Sequence, residues 1–283
     1  MEPVSVIFDF SNIAYMSFFR TVTALRLKPE EIRNPFDAHV GSFVNKVQEC
    51  LEGVYWSETI YAMEGRSRKH SIYPEYKAKR KTKTLQVDPK EALYNLLRNW
   101  RSQIIWHPDE EADDTIASYV AQNYDKNFVI YTTDRDLWQL LDHDNVSIYD
   151  PMKKEKVTKE HVYKSFDLTE PSKIKLHKTF WGDTSDNIPN AVPRMQKYLI
   201  PILEACDGTM EDALLRMKED ASLSRRCNEL IASAQETLAI NFQLASLSFC
   251  AKVQQIGIDE WLKMAEEKKA RQAAHQAIEA LHE

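Results

Sequence analysis

Four stretches of the chain carry carboxylates at positions from which a folded chain can gather them. Asp9 directly follows the apolar run Val4–Phe8, and Glu64 directly follows a second, Thr59–Met63. Glu111, Asp113 and Asp114 lie in DEEADD, after a third run, Ile104–Trp106. Asp134 and Asp136 follow a fourth, Phe128–Tyr131, in FVIYTTDRD. Short apolar, β-branched runs read as buried strands. In an open parallel sheet, ligands bind beyond the carboxyl ends of the strands, near the point where strand order reverses.

Each acid also has a local reading. The helix macrodipole favours Glu111, Asp113 and Asp114 in a first turn, and Asp134 is placed to cap the helix DLWQLL. Taken together, these acids repel one another, and DEEADD contains no Lys or Arg to neutralise them. Either their pKa values rise or a cation sits among them. Oxygen donors without His or Cys suit Mg²⁺ or Mn²⁺ rather than zinc. Two such ions about 4 Å apart are a known arrangement for phosphodiester cleavage. The eight histidines form no cluster with these acids, which disfavours His-based acid–base chemistry. A fifth stretch, Trp181–Pro189, adds Asp183 and Asp186, which share a face if helical and equally suit a turn.

The elements that must position these residues alternate between strand and helix. Ala38–Leu51, Pro89–Trp100 and Glu110–Asn123 read as helices, Asp136–Leu141 as a short one, and Val146–Tyr149 as a fifth strand. This order predicts an α/β fold, a mostly parallel sheet with helices on both faces. After about Ser165 the β signal fades. Residues 1–165 are therefore expected to form the catalytic domain, and 166–283 a helical second domain. The tail Asp259–Glu283, rich in Ala, Lys, Glu and Gln, reads as a solvated helix without assigned function.

Bulk properties narrow the class. The 283 residues are 43% hydrophobic, enough for a real core. No apolar run reaches the roughly 18 residues of a membrane helix, and the N-terminus lacks a basic leader region. The four scattered cysteines fit a reducing cytoplasm. The net charge of −6 argues against a nucleic-acid binder, but it is unevenly distributed. Between Gly65 and Leu85, eight basic residues (Arg66, Arg68, Lys69, Lys77, Lys79, Arg80, Lys81, Lys83) face one acid, Glu75. With Tyr73 and Tyr76 interleaved, this segment reads as a phosphate-binding loop or partly helical excursion.

The order of motifs is Asp9, then YKAKR (Tyr76–Arg80), EADD (Glu111–Asp114), TDRD (Thr133–Asp136) and GDTSDNI (Gly182–Ile188). It resembles the flap endonuclease and 5′–3′ exonuclease family, which includes bacteriophage 5′ nucleases and the N-terminal nuclease domain of bacterial DNA polymerase I. The likeness runs from about residue 4 to about residue 200, and the length suggests the compact bacteriophage type. It implies a PIN-like sheet, a basic helical arch over 65–88 and a helix–three-turn–helix in the C-terminal domain. It implies metal roles for Asp9, Glu111, Asp113, Asp114, Asp134, Asp136, Asp183 and Asp186, with two Mg²⁺ or Mn²⁺ ions. Lys77 and Arg80 would act on the scissile phosphate or the threaded 5′ strand, alongside Asp134 and Asp136. Lys81 and Lys83 would extend the DNA-binding strip, and Tyr76 would stack on a base. The implied partner is DNA with a free 5′ end or 5′ flap, RNA–DNA hybrid being an open alternative. The implied setting is a cytoplasmic monomer in replication, where replication proteins are candidate partners.

Three departures mark this chain. Glu64 stands where the family commonly has Asp, and Arg135 where Gly is usual. Pro189–Met195 lacks the glycines of the family's hairpin, which removes support for a K⁺ site and leaves Arg194 and Lys197 as side-chain substitutes for duplex grip. Two rival readings are a PIN-like ribonuclease and a catalytically inactive branched-DNA-binding scaffold. Setting aside the nine candidate site carboxylates (the eight above and Glu64) moves the formal charge from −6 to +3, so the acidity does not exclude nucleic acid.

Overall fold

The computed structural model describes residues 2–28, 36–79, 88–249 and 252–279. Its framework is a seven-stranded sheet ordered β6-β5-β4-β1-β2-β3-β7. The strands are β1 (Val4–Asp9), β2 (Trp56–Ala62), β3 (Gln103–Trp106), β4 (Phe128–Tyr131), β5 (Val146–Asp150), β6 (Glu155–Val157) and β7 (Gln254–Gly257). The five central strands are parallel; β6 and β7 add antiparallel edges. The chain first runs from β1 outward through β2 and β3. It then returns to the other flank of β1 for β4 and β5. Strand order therefore reverses between β1 and β4, which opens the crevice where ligands bind in such sheets.

Side chains alternate between the two faces. Val6 and Phe8 of β1, Tyr61 of β2 and Ile104 of β3 pack beneath α1 (Phe10–Ala24), α2 (Phe36–Leu51) and, through Leu93 and Leu97, the later α4 (Glu91–Asn99). Ile7, Ile60, Ile105 and Ile130 point the other way, into a core with α5 (Ala112–Gln122) and the helices beyond the sheet. Phe8 stacks on both Tyr61 and Tyr131 with ring centroids 5.3 Å apart, a row of rings crossing β2, β1 and β4. A four-residue helix, α3 (Lys69–Ile72), interrupts the basic segment between β2 and α4. Arg80, Lys81 and Lys83 lie outside the described residues.

Downstream come a 3₁₀ turn (Asp136–Asp142), α6 (Lys159–Phe166), α7 (Ile174–Trp181), α8 (Gln196–Ala205), α9 (Met210–Glu219), α10 (Arg225–Ser233) and α11 (Gln235–Ala245). Two sequence expectations need correction here. The chain after Ser165 is not all helical, because β7 returns to the sheet and pairs with β3. The final helix, α12 (Ile258–Glu279), is not simply solvated, since Ile258 and Trp261 are buried and Trp261 lies 5.2 Å from the Tyr94 ring. The 166–283 segment thus contributes a strand and a covering helix to the catalytic sheet. Its helices also share one continuous core with the sheet's second face. No helix among the described residues is long and apolar enough to cross a membrane.

Candidate active site

Asp9 is both the last residue of β1 and the N-cap of α1. Its Oδ1 accepts from the Asn12 amide (3.2 Å), and its Oδ2 accepts from the Thr132 hydroxyl (2.9 Å). Across the switch point, Asn12 and Thr133 exchange two hydrogen bonds of 2.7 and 3.1 Å, which lock the end of β1 to the end of β4. Asp134 donates its amide to Thr132 Oγ1 (3.0 Å) and accepts the Asp136 amide on Oδ1 (2.9 Å). Asn12, Thr132 and Thr133 thus position the two carboxylates on either side of the crevice. The sequence reading gave none of the three a positioning role, although Thr133 lies in the TDRD motif.

Glu64, just beyond β2, accepts the Ala112 amide at 3.1 Å and so caps the start of α5 while facing the same cleft as Asp9 and Asp134. The carboxylates of Glu111, Asp113 and Asp114 converge with donor oxygens within 4.8 Å of one another. Asp183 and Asp186 are not helical. The Asp183 and Ile188 backbones pair at 3.0 and 2.8 Å and close a tight turn. Gly182 enters that turn at φ +74°. A second cavity of about 540 Å³ is lined by Asp134, Asp136, Lys178, Asp183 and Asp186. Asn12, Thr133 and Asp134 line both cavities and join them.

Lysines from distant parts of the chain neutralise part of this charge. Lys69 is buried, its Nζ 3.1 Å from Asp114, 3.5 Å from Glu111 and 4.0 Å from Asp113. Burial alone would lower its pKa, but Asp113, Asp114 and Glu111 outweigh that and hold it well above the usual lysine range. Lys77 pairs with Glu111. Lys178 bridges Asp136 and Asp183, at 2.6 Å from the latter. Burial opposes the charged form of Asp183, yet Lys178 and Ser185 bring it down to about 2. Lys178 was not anticipated from the sequence. Its signal there is a lysine on the apolar face of IKLHKTFW, five residues before Asp183.

The rest of the site remains under-neutralised. Burial, then repulsion from Glu64 and Asp134, pushes Asp9 up to about 8. Asp134 is raised by burial and by Asp113. Glu64 is exposed at the cleft mouth, but the surrounding protein still desolvates its carboxylate, and Asp113 and Glu111 add repulsion, so it too is raised. Asp113 moves the other way, because Lys69, Lys77 and Lys178 together overcome its burial. Asp114 faces inward, bonded to Lys69 and accepting the Ser248 amide at 2.7 Å.

Other expected residues are placed differently from their sequence reading. Tyr76 is 1% exposed, so it does not offer a ring to a base. Its hydroxyl instead lies 2.9 Å from both Glu111 and Asp186. The Lys77 amide donates to the Asp186 carbonyl (2.8 Å), and the Asn187 side chain donates to the Glu75 carbonyl (2.7 Å). The base of the basic segment is therefore latched onto the acidic turn. Arg135 lines the second cavity with its guanidinium 5.5 Å from the Trp138 ring, a cation–π seat. In the glycine-poor stretch, the Ala191 and Val192 amides both donate to the Phe180 carbonyl at 3.1 Å, so neither is presented to a phosphate. Arg194 and Lys197 are exposed at the start of α8.

With this geometry in place, comparisons with known proteins converge. Residues 4–167 match the family described as "5'-3' exonuclease, N-terminal resolvase-like domain". The chain is 28% identical to a 5'-3' exonuclease of Aquifex aeolicus over 85% of this chain and 80% of that protein. It is 30% identical to DNA polymerase I of Caldicellulosiruptor bescii over 86% of this chain, spanning 30% of the polymerase. The fold is similar to that of a bacteriophage T5 protein co-crystallised with metal ions (TM-score 0.65, 20% identity, 86% of this chain and 89% of the other). It is also similar to the bacteriophage T5 flap endonuclease in a pseudo-enzyme–product complex with DNA and metal ions (TM-score 0.64, 20% identity, 86% and 89%). Matched over more than half its length, with the acids of the motifs gathered at the sheet's switch point, the chain belongs to the 5′–3′ exonuclease family.

Proposed function

We propose that this chain is a divalent-metal-dependent 5′ nuclease that hydrolyses phosphodiester bonds of DNA at or near a 5′ end. One observation carries the reading: nine carboxylates from five chain segments gather about one crevice, against three inserted ammonium groups, Lys69, Lys77 and Lys178. An excess of buried negative charge calls for cations, and the all-oxygen donor set fits Mg²⁺ or Mn²⁺. Asp9, Glu64, Asp113 and Asp134 would hold one ion, and Asp136, Asp183 and Asp186 the outer one. Glu111 and Asp114, expected from the resemblance as metal ligands, pair with Lys77 and Lys69 and would join Asp113 at the metal centre from behind those lysines. Bound divalent ions supply charge neutralisation and an activated water for phosphodiester hydrolysis.

The chain's own residues do the rest. Thr132 and Asn12 fix the Asp9 oxygens, and the Asp136 amide fixes Asp134. Lys77, at the foot of the basic segment and paired with Glu111, would hold the scissile phosphate, with Arg80 beyond it in sequence. Tyr76 ties the foot of that segment to the acids through Glu111 and Asp186. Arg194 and Lys197 are the side chains offered to duplex backbone. Substrate geometry and a free 5′ strand or flap, rather than base readout, select the site. The likeness to DNA polymerase I supports a role in replication.

The test uses 5′-flap DNA, blunt duplex and an RNA–DNA hybrid with Mg²⁺, with and without chelator, for wild type and Asp134→Ala. Flap or duplex DNA is expected to be cut, with cutting abolished by chelator and by the substitution. Cutting that persists with chelator would refute the metal mechanism. Preference for the hybrid would favour a ribonuclease, and no cutting by folded protein a binding scaffold.

A further inference from the structure

The cleft that holds Asp9, Glu64 and Asp134 does not end at the acids. Its volume is about 1020 Å³, and it continues along α1 to a wall containing Arg20, Lys46 and Lys154. The two ends differ in sign. From Asp9 to Arg20 is eleven residues of helix, about 16 Å at 1.5 Å per residue.

The far wall is organised around one carboxylate. Lys46, only 4% exposed, donates to Glu49 at 2.6 Å and to the Pro151 carbonyl at 3.1 Å. Lys154 also pairs with Glu49, and Arg20 approaches it at 4.0 Å. Hydrogen bonds from Lys154 and Lys46 hold the Glu49 carboxyl down at about 2. Three cations thus meet one anion. The buried Lys46 alone balances Glu49, which leaves the charges of Arg20 and Lys154 in excess. Their side chains are 60% and 62% exposed. Lys154 is held at this place by a tight turn: the Asp150 carboxylate accepts the Met152 and Lys153 amides at 2.8 and 3.0 Å, and Lys154 takes φ +59°. Met152 stands at the turn's tip, 67% exposed, on the same cleft.

We infer that this wall is a phosphate-binding subsite for a DNA strand that leaves the acidic crevice along α1, with Arg20 and Lys154 gripping a backbone phosphate and Met152 offering an apolar face to a base. Exposed cations with an intervening apolar surface are what a nucleic-acid strand track requires. At a rise of about 3.4 Å per nucleotide, a 16 Å span places the grip several nucleotides from the reacting bond. The inference rests on the nuclease reading, since the strand must enter the crevice for the far wall to meet it.

The experiment measures fluorescence anisotropy of 5′-flap DNA in Ca²⁺, across a salt series, for wild type, the double variant R20A/K154A and E49Q. Both 5′-phosphorylated and 5′-hydroxyl strands are used, with flap cleavage in Mg²⁺ run in parallel. The double variant is expected to bind about tenfold more weakly at 0.1 M salt, with the slope of log K against log salt reduced by about one. E49Q, which removes the competing carboxylate, is expected to bind more tightly. An equal loss for both strand ends supports a backbone phosphate. A loss confined to the 5′-phosphorylated strand moves the same subsite to the terminal phosphate and overturns the backbone assignment. If wild type cleaves but the double variant binds with unchanged affinity and slope, the subsite is overturned while the nuclease reading stands. If wild type neither binds nor cleaves, both are overturned.

Discussion

The ammonium of Lys69 lies 3.1 Å from a carboxylate oxygen of Asp114, and both side chains are almost wholly buried, at 4% and 1% exposure. A buried charge pair adds little net stability over an apolar pair, but removing one partner strands the other. Lys69→Met is therefore expected to cost about 3–5 kcal/mol in urea unfolding with chelator present. In an Asp114→Asn background the same change should cost at least about 1 kcal/mol less, because coupled neighbours are non-additive. A loss below about 1 kcal/mol in the native background would show that Lys69 is not the counter-cation of this cluster.

His177 provides a pH handle away from the acids. Burial, helped by Lys178 and opposed by Asp167, lowers its pKa to about 4. The ring packs 4.7 Å from Trp181 and 5.2 Å from Phe166, and its Nδ1 has no hydrogen-bond partner among the described residues. Unfolded, it takes a proton near its ordinary value of 6.5, but folded only near 4. Between those values the unfolded chain binds more protons, so stability falls as pH drops through that window. The stability difference between wild type and His177→Phe should shift against wild type by about 3 kcal/mol from pH 7.5 to pH 4. Chemical denaturation at several pH values measures it, and a pH-independent difference would rule it out.

The parallel strands were legible because each is a short apolar run, and the acids after them were legible because strand ends at a switch point meet. What failed depends on long-range pairing. Lys69 and Lys178 find their carboxylate partners 45 and 42 residues away, at Asp114 and Asp136, and no local pattern encodes that. Tyr76 reads as a stacking ring within a basic loop, yet the fold spends its hydroxyl on two acids. For Asp183 and Asp186 the spacing left helix and turn open, and positive φ at Gly182 and Asn187 decides for the turn. β7, with sequence QQIG, buries Ile256 but is otherwise polar, as an edge strand paired on one side can be.

That last strand makes the C-terminal segment testable. Trp261 follows β7 by four residues and is 6% exposed beside Tyr94 of α4. Its indole N–H has no partner among the described residues, so truncation removes packing and not a hydrogen bond. Trp261→Ala is expected to cost about 3–5 kcal/mol. Amide exchange over Gln254–Gly257 should quicken, as the helix that holds the strand on β3 loosens. A loss under about 1 kcal/mol, with exchange unchanged, would mean that α12 does not anchor the strand.

Gly182 and Gly53 share the same φ of +74° but not the same surroundings. A Cβ on Gly53, in the turn before β2, meets nothing within 4 Å. A Cβ on Gly182 would overlap the Pro189 carbonyl and the Ile188 carbonyl, which accepts the Asp183 amide and closes the turn. Gly53→Ala therefore isolates the backbone cost of positive φ, about 1 kcal/mol, far from the acids. Gly182→Ala pays the same cost and must also shift the turn. That shift moves Asp183 relative to Lys178, now 2.6 Å away. Both variants are expected to lose stability, but only Gly182→Ala should weaken Mn²⁺ binding, by tenfold or more in a thermal-shift titration. Equal Mn²⁺ affinity in the two variants would mean that the Asp183 turn does not belong to the metal site.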